Sequence, residues 1–90
     1  DRDLLDASGI RCGECVLVGD LTDGARFETY VLAGRRGSGV VCVNGAAARL
    51  VRVGDRIIIM AFAYAEPDEA ATIKPAVVFV DEKNRPKDKR

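Results

Sequence analysis

The chain has 90 residues, 48% of them apolar or aromatic and 31% charged, and its 14 basic side chains balance its 14 acidic ones. That length builds one domain with a modest core that burial against other chains would help to stabilise. A neutral chain has no overall field to gather phosphates or an anionic membrane surface, which sets nucleic acid aside as a partner.

The longest apolar stretch, residues 57–65, is about half of the ~20 residues that a membrane-spanning helix needs. No signal-like segment opens the chain, so a cytoplasmic protein is expected. The sequence starts at Asp1 rather than at a methionine, which predicts an N-terminus produced by cleavage, truncation or disorder.

In chain order, Asp3 to Ala7 read as a short helix, with Asp3 able to cap and Gly9 suited to the left-handed position that ends it. Beyond it the apolar period becomes two. Cys15 to Val18, Arg26 to Leu32, Gly39 to Val43, Arg56 to Tyr64 and Ala76 to Val80 are rich in β-branched and apolar residues and bounded by Gly, Asp or Pro, which predicts five strands. Asp23-Gly24 is a hairpin signal between the first two, and Gly34, Gly37 and Gly39 mark a glycine-rich turn before the third. Val53-Gly54-Asp55 reads as a turn feeding a fully buried strand. Ala46 to Leu50 and a segment around Asp68 to Thr72, after Pro67, are expected as helices too short to cover a sheet. So many short strands with so little helix point to a small closed or nearly closed β-barrel over residues 1–82. Residues 83–90, with Lys83, Arg85, Lys87, Lys89 and Arg90, read as a basic, mobile tail.

Three cysteines, Cys12, Cys15 and Cys42, make an odd number without disulfide-framework spacing, which fits a reducing compartment. Cys12 and Cys15 have CxxC spacing, but the chain has no histidine, and a four-ligand zinc site would need Cys42 and a carboxylate as well. No metal is expected. Cys15 and Cys42 alternate with apolar neighbours like buried strand residues, and Cys12 falls in a turn.

The residues best suited to chemistry lie on the second expected strand and after the third. On an extended strand Arg26, Glu28 and Tyr30 share one face while Phe27, Thr29 and Val31 share the other. Arg26 and Tyr30 are then roughly 13 Å apart at the backbone, close enough for two long side chains to converge on a ligand between them. The planar fork of Arg26 suits a carboxylate, although an ordinary strand-surface ion pair fits the same residue. Asn44 and Gly45 precede Ala46, Ala47 and Ala48, so the backbone N–H groups opening that turn are shielded by no bulky side chain. Such a turn can receive an anion, or Asn44 can simply cap it.

At Arg26-Phe27-Glu28-Thr29-Tyr30, Arg35-Arg36-Gly37-Ser38-Gly39 and Val43-Asn44-Gly45-Ala46-Ala47-Ala48, the sequence resembles the pyruvoyl-dependent aspartate 1-decarboxylase family. The resemblance takes in Asp1 to Ile10, Val53-Gly54-Asp55 and Pro67-Asp68 as well, and so runs over nearly the whole chain. It implies a six-stranded double-psi β-barrel with short helices, a homotetramer, and a proenzyme that cuts itself at a Gly-Ser bond. The pyruvoyl group would come from a serine upstream of Asp1, and a cleaved N-terminal β chain would be a partner. The implied reaction is decarboxylation of L-aspartate to β-alanine, which feeds pantothenate and coenzyme A synthesis. By the same resemblance Tyr30 would be the proton donor and Arg26 would hold a substrate carboxylate. Thr29 would take part in self-cleavage and substrate contact, while Asn44, Gly45, Ala46 and Ala47 would supply hydrogen bonds around the reacting groups. The absence of histidine suits that chemistry and argues against a Ser-His hydrolase. A non-catalytic double-psi barrel that binds or adapts another molecule is the alternative, because a fold does not dictate a function.

Overall fold

A computed structural model describes residues 1–88 and is mainly β, with short helices at its periphery. Helix α1 spans Arg2–Ser8 and closes on Gly9, whose backbone is left-handed at φ 78° and whose N–H donates to the carbonyl of Leu5. Its cap is Asp1, not Asp3: a carboxylate oxygen of Asp1 accepts from the N–H of Asp3 at 2.8 Å. One residue makes the difference, because the cap must precede the first turn, and Asp3 is already inside it.

Strand β1 (Cys15–Asp20) is the centre of a three-stranded antiparallel sheet, with β2 (Arg26–Tyr30) on one side and β3 (Ile57–Met60) on the other. Cys15 stands opposite Tyr30 and Gly19 opposite Arg26; across the other edge Leu17 meets Met60 and Gly19 meets Ile58. The turn between β1 and β2 forms where Asp23-Gly24 predicts it. Asp20 N–H donates to Ala25 at 2.8 Å, Gly24 N–H to Asp20 at 2.9 Å, and Thr22 N–H to a side-chain oxygen of Asp20 at 2.7 Å.

The period of two puts Val16, Val18 and Asp20 on one buried face of β1. Among the described residues Val16 and Val18 are the buried apolar ones, so the core within this chain is small. The accessible surface is 7369 Å², against about 5,100 Å² for a compact monomer of this mass. Large apolar side chains carry the excess: Phe62 is 70% exposed and Tyr64 fully so. The expectation that β3 would be fully buried is therefore corrected, with Ile58 and Ile59 both exposed. β3 is an edge strand here, and its Ile58 and Ile59 stay exposed among the described residues.

Gly39 to Val43 do not form the expected strand. The backbone there finds other partners: Gly39 N–H donates to Asp1 Oδ2 at 2.7 Å, the Gly39 carbonyl accepts from Asn84 Nδ2 at 2.9 Å, and the Val40 carbonyl accepts from Asp1 N at 2.8 Å. Asp1 also accepts from Gly37 N–H at 3.0 Å, while Arg36 pairs with Asp3 at 2.6 Å and Asp6 at 2.7 Å. These contacts fasten α1 to the glycine-rich loop. The hydrogen bonds that Arg36 donates to Asp6, first, and to Asp3 hold its guanidinium more firmly charged than usual. Gly39 itself lies at φ +73°, and a Cβ there would collide with the carbonyl oxygen of Lys83. Gly39→Ala is thus expected to lower stability by about 2–3 kcal/mol, read from the urea midpoint; an unchanged midpoint would contradict this packing.

The remaining elements are short. A 3₁₀ turn covers Gly45–Leu50, helix α2 covers Pro67–Ala70, and β4 (Phe79–Val80) pairs with β5 (Pro86–Lys87) in a two-stranded hairpin. The hairpin carries paired backbone into the basic segment as far as Lys87, and its Asp81-to-Arg85 turn is closed by the Asp81 carboxylate accepting from the N–H groups of Lys83 and Arg85. Those bonds, Arg85's first, hold the Asp81 carboxyl below its usual range. Lys89 and Arg90 lie outside the described residues. Among the described residues no helix is long and apolar enough to cross a membrane.

Candidate functional site

β2 carries three of the candidate residues, and its register fixes where each points. Arg26 and Tyr30 lie on the outer face with Glu28, as the alternation predicts. Thr29 lies on the inner face opposite the buried Val16 and is half-buried. Arg26 is exposed and makes no ion pair with any described residue, so the ordinary surface salt bridge that its sequence also allowed is not formed. Tyr30 is 64% exposed. A guanidinium with no carboxylate partner and a phenol open to solvent are groups left available for something else to meet.

The 3₁₀ turn Gly45–Leu50 packs against β2, which brings the second half of the candidate set to the first. Asn44 precedes the turn in extended backbone, and its side chain does not cap it. Instead its amide oxygen faces the Cys42 thiol at 3.2 Å, and its amide nitrogen has no partner among the described residues. Gly45 has open space where a Cβ would stand. Ala46 is exposed and Ala47 half-buried. The small residues leave the opening N–H groups of this turn accessible.

Thr29, Tyr30 and Asn44 border one broad open cleft of about 2510 Å³, whereas Arg26 borders a smaller cavity of about 390 Å³ on the outer face of the sheet. Gly45, Ala46 and Ala47 border neither. One chain therefore gathers the hydroxyl and amide groups but holds the cation apart from them.

The cysteine reading needs correction. Cys15 and Cys42 are exposed rather than buried, and Cys12 is exposed in its turn. Parity explains Cys15, because the even residues of β1 take the inner face and leave it outward with Leu17 and Gly19. The described residues hold no group of three or more histidine, cysteine or carboxylate side chains placed for a metal ion.

Two residues beside the site escaped the sequence reading. Asp20 extends β1 beyond Val18 and is 3% exposed, with Oδ2 unpartnered among the described residues. Gly19 lines the cavity beside Arg26. A glycine inside an apolar strand was the available signal for the second.

Residues 1–87 match the family model described as "Aspartate decarboxylase". The chain is 55% identical over 87 residues to the aspartate 1-decarboxylase of Chloroherpeton thalassium, covering 97% of this chain and 64% of that protein. It is 56% identical to that of Lactiplantibacillus plantarum, covering 94% and 65%, and 58% identical to that of Porphyromonas gingivalis, covering 90% and 69%. This mainly β chain therefore belongs to the aspartate decarboxylase family. It spans just under two thirds of the length of the first two of these curated relatives.

Proposed function

We propose that this chain is the larger part of a self-processed, cytoplasmic aspartate 1-decarboxylase, which converts L-aspartate to β-alanine and CO2 and so feeds pantothenate and coenzyme A synthesis. The observation that carries this reading is the continuous relatedness, at more than half identity, across the whole stretch from Asp1 that contains Arg26, Thr29, Tyr30 and Asn44 to Ala47.

A pyruvoyl group derived from a serine upstream of Asp1 would supply the electron sink that decarboxylation needs. The residues present fit such a compact, carbonyl-bearing group. The Asn44 amide nitrogen has no partner among the described residues, Gly45 has open space where a Cβ would stand, and Asn44 gives the turn that follows no side-chain cap. Asn44 and the backbone of Gly45, Ala46 and Ala47 would hold the reacting groups by hydrogen bonds. Thr29, at the edge of the cleft that Asn44 also borders, would contact substrate and take part in self-cleavage.

Arg26 would hold the carboxylate that the product retains. A strong salt bridge to the departing carboxylate would stabilise the ground state and slow its loss, so the cation is more useful at the other end. Tyr30 would deliver a proton to the former α-carbon; a phenol is a weak acid, yet adequate toward a basic carbon.

Assembly belongs to the same proposal. The small core and the bare side chains of Ile58, Phe62 and Tyr64 support burial against other chains. A homotetramer of protomers, each with its cleaved β chain, would complete a six-stranded double-psi barrel from the sheet and hairpin seen here. It would also bring the Arg26 cavity of one protomer toward the cleft of another. The test is direct: the full-length, processed protein given L-aspartate should release β-alanine and CO2 in equal amounts, and absence of both would refute the assignment.

A further inference from the structure

Gly19 is the penultimate residue of the central strand, and a glycine inside a strand weakens a sheet relative to alanine. Its backbone does not require glycine, since its φ is not positive. Nor does packing require it: a Cβ built there meets only the Cε of Met60, at 3.8 Å, an ordinary contact. What the missing side chain does provide is space. Gly19 stands between Arg26 on β2 and Ile58 on β3, so the row across the sheet has a gap at its centre. That gap opens into the cavity of about 390 Å³, whose lining includes Arg26 from β2 and Ile58 and Met60 from β3.

A cation with no ion-pair partner among the described residues, lining the same cavity as apolar side chains, matches a short aliphatic carboxylate, with its charged end on Arg26 and its methylene groups over Gly19. We propose that Gly19 is a specificity-determining residue: the space above it seats the aliphatic part of the carboxylate ligand that Arg26 holds, and sets how long that part can be. This deepens the proposed function and rests on Arg26 as the carboxylate holder.

The test uses the full-length, processed protein, with succinate and glutarate as calorimetric probes and urea unfolding in parallel. Wild type is expected to bind both diacids. Gly19→Val should weaken both, glutarate at least tenfold as expected for an obstructed methylene site, while its unfolding midpoint holds or rises because valine favours a strand. Unchanged affinities in Gly19→Val, or no binding by wild type, would overturn the proposal. Dissociation of the assembled protein in Gly19→Val would also overturn it, since the occupant would then be a second copy of the chain. If the valine variant loses stability, Gly19→Ala decides: weaker glutarate binding at an unchanged midpoint upholds the subsite, and unchanged binding refutes it. The two readings fail differently. Diacid binding sensitive to Gly19 without β-alanine production would spare the subsite and refute the reaction; β-alanine production with affinities indifferent to Gly19 would do the reverse.

Discussion

Arg26→Ala is expected to lower kcat/KM for L-aspartate by at least ~100-fold while moving the unfolding free energy by less than about 0.5 kcal/mol. The two halves of that expectation have separate causes. Stability should hold because Arg26 is exposed at the start of β2 and makes no ion pair with a described residue, so its removal strands no buried partner. Activity should fall because a forked, charge-assisted contact to a carboxylate is strong, and no other described cation borders the same cavity. If the contact is to the carboxylate that the product keeps, affinity for β-alanine must fall together with affinity for aspartate. A variant that binds both as wild type does would show that Arg26 is not the carboxylate holder.

The second large effect is expected at Tyr30. Tyr30→Phe removes one oxygen from an outward-facing ring and should reduce β-alanine release by at least ~100-fold, the usual contribution of a positioned proton donor. Loss of CO2 in a single turnover should survive, because carbon–carbon cleavage precedes proton delivery. Rapid-quench measurement of CO2 and β-alanine on one enzyme sample separates the steps, and a normal rate of β-alanine release would assign the proton to another group. The exposure of Tyr30 adds a condition. A phenol in open water delivers protons no better than its surroundings, so its role requires the cover that assembly would give.

Much of the sheet was legible in the sequence, and the reasons are local. Alternation in β1 and β2 placed Arg26 and Tyr30 on one face and Thr29 on the other, and Asp23-Gly24 marked the turn between the strands. What failed depended on contacts remote in sequence. Gly39 to Val43 have strand-like composition, yet Asp1 and Asn84 take the hydrogen bonds that a neighbouring strand would have made. Ile57 to Ile59 read as a buried run, but burial needs a second surface, and β3 lies at the edge of its sheet. The candidate site shows the same division. Its residue types were readable from their motifs, whereas the separation of Arg26 from the Thr29, Tyr30 and Asn44 cleft is a property of three-dimensional placement. Gly19 was overlooked because composition registers a glycine as a weak strand residue, and only its two cross-strand neighbours reveal the space that it leaves.

Intact-mass measurement of the full-length protein under denaturing conditions, with and without borohydride in the presence of L-aspartate, tests the central claim most directly. The expected result is two chains, the longer with a blocked N-terminus that gains a substrate-derived mass only when borohydride and aspartate are both present. A single uncut chain with an ordinary amino terminus and no mass gain would contradict it.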